Sequence, residues 1–186
     1  MQQLINLINE RPLIQTHVAW FNDIANQLLL YTHIVANGTY YRIKEIEFYY
    51  HDELHEDTTV YGYMPLKFKK DNLRLHRHKQ KQCETFTWFI HYSGIDIVFG
   101  KENTPGGILI RAIERINGDE APELIKGPLV VMLELLNQSI NVFDSKGFEL
   151  LLVPANEAIP GEVKATKRVG LTEPESVVRH YNFFAI

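Results

Sequence analysis

The sequence predicts an α+β domain in which helices pack on a mostly antiparallel, curved sheet. Strand-like segments outnumber helical ones, and the hairpin signal Asn37-Gly38 joins two of them. The 186 residues contain no repeat and no Pro/Gly/Ser-rich linker, so we expect one domain over residues 1–186. With 45% hydrophobic and 23% charged residues the chain is ordinary for a globular protein, which excludes the disordered, collagen-like and coiled-coil classes.

The first predicted elements are a helix and a β-hairpin. Apolar residues at helical spacing predict a helix over residues 17–30, with Thr16 as its N-cap. Residues 31–36 and 39–50 then form the two arms of the hairpin. Alternation in the second arm predicts that one face carries Tyr41, Ile43, Glu45, Glu47 and Tyr49.

The remaining elements follow from similar patterns. Residues 120–137 are predicted to be helical, with Gly127-Pro128 ending one helix and opening the next. The tail is predicted to form two strands, or a loop and a strand, over residues 163–170 and 179–186. Strands rich in aromatic and β-branched residues are expected over residues 84–92, 94–100, 107–116 and 148–154.

A short basic segment stands out on an acidic chain. The net charge is −4, yet residues 67–81 hold seven of the 19 Lys and Arg and only one of the 23 Asp and Glu. Such a segment indicates a surface directed at phosphates, although a solvated loop would look the same. The candidate phosphate-binding residues are Lys67, Lys69, Lys70, Arg74, Arg77 and Lys79.

Two charged positions on predicted strands could carry chemistry. Glu47 is followed by the aromatic residues Phe48 and Tyr49 and shares its strand face with Glu45, so it is a candidate general base; a solvated acidic face is the alternative. Arg111 shares a predicted face with Leu109 and Ile113 and would need an acidic partner if buried. Glu47 is the obvious candidate, and a purely structural ion pair is the alternative.

Histidines permit a metal hypothesis. His51 and His55 have a helical ligand spacing, and His76 and His78 are two apart on an extended segment. The H-E-x-x-H pattern is missing, and the acidic stretch around His51 equally resembles an exposed loop. We therefore expect no metal and no other cofactor.

The chain carries no sign of export or membrane insertion. No stretch approaches 18 apolar residues, and the N-terminus lacks the basic start of a signal peptide. Cys83 is the one cysteine, which excludes an internal disulfide and fits a reducing, cytoplasmic setting. We expect no membrane partner.

Several segments, taken in order, match the motifs of one family. Arg42 to Tyr49 resembles R-I-V-E-T-E-A-Y, and Ile108 to Gly118 resembles V-L-I-R-A-L-E-P-L-x-G. Shorter matches are Phe21-Asn22-Asp23-Ile24 leading to Leu28-Leu29-Leu30, Gly127-Pro128-Leu129, Arg168-Val169-Gly170 and Arg179-His180-Tyr181. This ordered set resembles the alkyladenine (3-methyladenine) DNA glycosylases from about residue 18 to 184.

The resemblance implies an alkyladenine DNA glycosylase-like fold and a DNA repair enzyme. Members excise alkylated purines from damaged duplex DNA by water attack on a flipped-out nucleotide, in base excision repair. By position, Glu47 would activate the water, Arg111 would help to place it and reach the backbone, and Tyr49 would stack on the base. No cofactor is implied.

The chain also departs from the family pattern. The position of a family His falls on Thr58, with His55 and Tyr61 as the nearest substitutes. Tyr92 is the candidate for the residue inserted into the duplex, and Asp96 stands where the family has an Asn. The base-binding candidates are therefore Tyr49, Asp96, Tyr92, His55 and Tyr61.

Three other functions remain open at this point. One is a non-catalytic nucleic-acid or nucleotide-binding module on the same fold. The others are an N-glycosidase of free nucleosides or nucleotides and a histidine–metal hydrolase.

Overall fold

Three α-helices, a short 3-10 helix (Lys81–Cys83) and nine strands make up the part of the chain that the structure, a computed structural model, describes. The described residues are 1–11, 17–61, 81–116, 121–137, 147–171 and 179–186. The helices are α1 (Gln2–Asn9), α2 (His17–Tyr31) and α3 (Pro128–Leu136). The strands are β1 (Thr32–Ala36), β2 (Thr39–Tyr50), β3 (Trp88–His91), β4 (Gly94–Val98), β5 (Gly106–Ile116), β6 (Glu123–Lys126), β7 (Leu150–Pro154), β8 (Val163–Thr166) and β9 (Asn182–Ala185).

The strands form one curled antiparallel sheet in the order β3-β4-β5-β2-β1-β7. Strand β6 extends the sheet from β5, while β9 pairs with β2 and carries β8. Helix α2 packs on the sheet, where Phe21 stacks on Phe48 with ring centroids 4.5 Å apart. The result is the single-domain α+β architecture that the sequence predicts.

Helix α2 and the β1–β2 hairpin confirm the strongest local predictions. Asn37 and Gly38 have φ angles of 46° and 84°, the left-handed values that a type I′ turn requires. Thr16, the predicted N-cap of this helix, lies outside the described residues.

Two opposed bulges correct the predicted faces of β2 and β5. Ile43 pairs with Ile113 and Ile46 with Ile110, so the pairing passes over Lys44 on one strand and Arg111 on the other. Each bulge inserts an extra residue and reverses the alternation beyond it. Tyr41 and Ile43 therefore face the core rather than sharing the face of Glu47 and Tyr49. Ile113 likewise joins the core and leaves the face of Leu109 and Arg111.

The predicted helix before Gly127 is wrong. Residues Glu123–Lys126 form strand β6, which pairs with the distal half of β5. That edge of β5 offers unpaired backbone groups, and pairing with them outweighs the local preference of the segment. Helix α3 begins at Pro128 as predicted.

Helix α1 was not predicted from the sequence. It buries Leu4 and Ile8, which are four residues apart and face the core. The two tail segments form β8 and β9, the first of the two alternatives. In the described ranges, no helix has the length and apolar character needed to cross a membrane.

Candidate active site

A hydrogen-bonded network joins Glu47, Tyr49 and Arg111. Glu47 has no exposed surface. Its Oε2 accepts the Tyr49 hydroxyl at 2.7 Å and Arg111 Nη1 at 3.1 Å. Its Oε1 accepts the backbone N–H of Val169 at 2.5 Å. The structure therefore brings together the three residues for which the sequence predicts a shared role.

The bulge at Arg111 explains how one guanidinium reaches two carboxylates. Arg111 Nε donates to Glu45 Oε1 at 3.1 Å while Nη1 donates to Glu47. Glu45 also accepts the side-chain amide of Asn182 on β9 at 3.0 Å. Charged groups with this many partners are fixed in position, so the network is rigid before any ligand binds.

Tyr49 connects this network to a cavity. Burial, followed by the charge and hydrogen bond of Glu47, raises the pKa of the Tyr49 hydroxyl well above its ordinary value. The guanidinium of Arg168 lies 4.8 Å from the Tyr49 ring centroid. Arg168 is itself buried in an ion pair of 2.6 Å with Asp57. One face of the Tyr49 ring is thus occupied by a cation.

The cavity has a volume of about 340 Å³ and aromatic walls. Four of the five predicted base-binding residues line it: Tyr49, Tyr61, Tyr92 and Asp96. Thr58, at the position of the family His, also belongs to the lining, as does Leu109, which pairs with Glu47 across β2 and β5. Glu47 and Arg111 lie behind this wall rather than in it.

Asp96 is a buried carboxylate with two side-chain partners. Its Oδ1 contacts His91 Nε2 at 3.1 Å, and its Oδ2 accepts Gln82 Nε2 at 2.7 Å. Gly107 lies beside this group, and a Cβ there would collide with both Gln82 and Asp96. The inner wall of the cavity therefore depends on a glycine that leaves room for the Gln82–Asp96 pair.

Tyr92 lies in the two-residue turn between β3 and β4. Its side chain is 81% exposed and reaches the rim of the cavity. Tyr61 packs beneath it, with its ring centroid 4.8 Å from that of His91. Burial, followed by a hydrogen bond to Tyr92, raises the pKa of Tyr61.

The structure does not bring His55 into the cavity, so the base-binding role predicted for it is not supported by its position. Its ring centroid lies 4.5 Å from that of His17 and 5.5 Å from that of Tyr181. Arg179 Nη1 donates to its Nδ1 at 2.9 Å. Burial and then the charge of Arg179 lower the pKa of His55 to about 3. The ring is held on the core side by aromatic packing.

The metal and phosphate hypotheses have different outcomes. His51 Nδ1 accepts the backbone N–H of Asp57 at 3.2 Å, and His55 contacts Arg179. Within the residues that the structure describes, no group of three or more His, Cys, Asp or Glu could hold a metal ion. His76, His78 and the phosphate-binding candidates Lys67, Lys69, Lys70, Arg74, Arg77 and Lys79 lie outside the described residues.

Three site residues were not predicted from the sequence. Gln82 carries no local signal, because it meets Asp96 only through the fold. His91 could have been found, since a two-residue turn after β3 brings it diagonally opposite Asp96. Arg168 belongs to the Arg168-Val169-Gly170 motif, but its contact with Tyr49 needs the tertiary structure.

The chain is similar to a viral protein. No family model matches the chain. The chain is 32% identical over 145 residues to the uncharacterized protein L759 of Acanthamoeba polyphaga mimivirus, an alignment that covers 71% of this chain and 63% of the viral protein. The chain thus spans less than two thirds of that relative. The relative's name states no activity, so the comparison transfers none.

Proposed function

We propose that this protein is a DNA N-glycosylase that excises alkylated purine bases in base excision repair, on a fold of the alkyladenine DNA glycosylase type. The observation that carries the proposal is the 2.7 Å hydrogen bond between Tyr49 and Glu47. It connects a buried carboxylate to the wall of an aromatic cavity. At about 340 Å³ that cavity falls in the range of roughly 300–1,000 Å³ typical of small-molecule sites.

The cavity suits a flat, electron-poor ring. A glycosylase must extrude its target nucleotide, because the bond to be broken is hidden in the base stack. Because Arg168 covers one face of Tyr49, a base would stack on the other face. Tyr61 and Tyr92 add aromatic surface, and their π-faces attract the positive charge of an alkylated purine.

The proposed reaction needs one base and no acid. Water attacks C1′ of the sugar as the C–N glycosidic bond breaks, and the bonding electrons neutralise the cationic alkylated purine. Glu47 takes the proton from that water. Arg111 and Val169 N–H hold the Glu47 carboxylate in position. Water would reach Glu47 beside Leu109, which lines the cavity and pairs with Glu47 in the sheet.

One observation favours a second candidate, a base-binding module without catalysis. Glu47 has no exposed surface, and its two oxygens already accept three hydrogen bonds. A carboxylate held in this way can be a structural support for Tyr49. The two candidates differ in whether a base is released.

The deciding experiment is base release from alkylated duplex DNA, detected by chromatography. Glu47→Gln should lower the release rate by about 10²–10⁴-fold, the usual contribution of a general base, and should leave DNA affinity within about threefold. Glu45→Gln is the matched control, because Glu45 binds the same arginine without contacting Tyr49.

The two variants separate the candidates. Release that Glu47→Gln abolishes and Glu45→Gln largely preserves supports the glycosylase. A wild-type protein that binds alkylated DNA and frees no base supports the binding module. Release at the wild-type rate by Glu47→Gln would refute the role of Glu47.

A further inference from the structure

We infer that Gln82 and Asp96 select the occupant of the cavity by accepting hydrogen bonds from its N–H groups. The ligand class is therefore a heteroaromatic ring that carries an amino group on the edge facing this pair. That the ring is a purine rests on the proposed function. It adds the feature of the purine that is recognised.

Gln82 provides an unpaired acceptor in the wall. The residue is 1% exposed and lines the cavity. Its Nε2 donates to Asp96 Oδ2. This bond fixes the orientation of the amide, because a carboxylate can accept from the amide nitrogen but has no proton to donate to the amide oxygen. Its Oε1 then has no hydrogen-bond partner in the described part of the chain. A buried carbonyl without a partner is costly, and a ligand N–H would remove that cost.

Asp96 adds acceptor capacity beside it. Ser93 N–H donates to His91 Nδ1 at 3.3 Å, so the neutral ring carries its proton on Nε2 and donates it to Asp96 Oδ1. Both nitrogens of His91 are then committed, and the ring offers only its face to a ligand. Each Asp96 oxygen keeps a further lone pair.

Two hydroxyl donors of the wall are already committed to carboxylates. The Tyr49 hydroxyl donates to Glu47, and the Thr59 hydroxyl donates to Asp57 Oδ1 at 2.5 Å. Where Gln82 and Asp96 meet, the acceptors of the inner wall are the Gln82 carbonyl and the Asp96 carboxylate, and the donor beside them is the second N–H of Gln82. A ring that offers only acceptors to that wall would leave Gln82 Oε1 unpaired and face a carboxylate.

The test uses pairs of free bases that differ by one amino group. Adenine is compared with purine, and 7-methylguanine with 7-methylhypoxanthine, each titrated into the 186-residue protein by calorimetry. In at least one of the two comparisons, the base with the amino group should bind roughly tenfold or more tightly than the base without it. A site built for a hydrogen bond rejects the analogue that lacks the bonding group. Gln82→Met should reduce that preference to less than about twofold, since it removes the acceptor at similar side-chain volume.

Gln27→Met is the matched control, because Gln27 is a buried glutamine on α2 that does not line the cavity. It should keep the amino preference. Asp96→Asn is a second variant that removes the carboxylate on which the orientation of the Gln82 amide depends, and it too should weaken the preference. Melting curves establish that each variant is folded.

The outcomes separate this inference from the proposed function. Three outcomes would overturn the inference. The two free bases of each comparison could bind equally well, or none of the four bases could bind. The preference for the amino group could also survive in both Gln82→Met and Asp96→Asn. Amino-dependent binding with no base release from DNA supports the inference and refutes the glycosylase. Base release from DNA without any preference for amino-bearing bases supports the glycosylase and refutes the inference.

Discussion

The hydroxyl of Tyr49 donates a 2.7 Å hydrogen bond to Oε2 of Glu47, two residues earlier on β2. Residues two apart on a strand share a face, so the strand itself holds the pair together. The raised pKa of Tyr49 keeps its hydroxyl protonated at physiological pH, and the hydroxyl therefore remains a donor. Tyr49 is thus both a wall of the cavity and a partner of the buried carboxylate.

Tyr49→Phe should separate these two roles. The ring and its stacking surface remain, but Glu47 loses a donor. Hydrogen bonds to charged groups contribute about 1.5–3 kcal/mol, so we expect base release to slow by roughly 10–100-fold. Affinity for alkylated DNA, measured by fluorescence anisotropy, should change by less than about threefold. Loss of affinity equal to the loss of rate would show that the hydroxyl acts in binding instead.

The buried ion pair between Arg168 and Asp57 should be important for stability. Both side chains are completely buried at 2.6 Å, and Arg168 also contacts the Tyr49 ring. Asp57→Ala removes the acidic partner of a buried guanidinium, so we expect the free energy of unfolding in urea to fall by about 3–5 kcal/mol.

An exposed ion pair is the control for that measurement. Lys164 and Glu162 are separated by 3.7 Å and are largely exposed. Glu162→Ala should therefore cost less than about 1 kcal/mol. Similar losses in the two variants would contradict the structural role assigned to Asp57.

His55 should make stability depend on pH in the acid range. The pKa of His55 is about 3 in the folded protein, against an ordinary value of 6.5 for the unfolded chain. Between these two pH values the unfolded chain therefore binds more protons than the folded protein. Stability is therefore fully present above about pH 6.5 and is lost progressively as the pH falls toward 3. His55→Phe keeps the ring packing and removes the titration. Its melting temperature should fall less steeply than that of the wild type between pH 6.5 and 4, and parallel curves would argue against this effect.

The basic segment should determine how DNA binding responds to salt. Lys69→Ala combined with Lys70→Ala removes two of the predicted phosphate contacts. Each contact to duplex DNA contributes about 0.9 to the slope of log K against log salt, so the slope should become shallower by about 1.8. A salt titration by anisotropy measures it. An unchanged slope would favour the alternative that residues 67–81 are a solvated loop.

Much of the fold could be predicted because its signals are local. The apolar spacing of residues 17–30 and the Asn37-Gly38 turn predict α2 and the first hairpin, and both are confirmed. Strand β6 could not be predicted, because its pairing with β5 depends on an edge that exists only in the folded sheet. The same holds for His55, whose position is decided by the surrounding rings.

By itself, the sequence determined the α+β class and the grouping of Glu47, Tyr49 and Arg111. Alternation and turn chemistry act over a few residues, which is why they are readable from the chain. The apolar core positions shift across Lys44, from Tyr41 and Ile43 to Ile46, Phe48 and Tyr50. Only the tertiary structure decided that opposed bulges at Lys44 and Arg111 absorb this shift, because a bulge is a feature of the pairing between two strands. It also decided that Gln82 meets Asp96, since that contact joins segments with no local pattern in common.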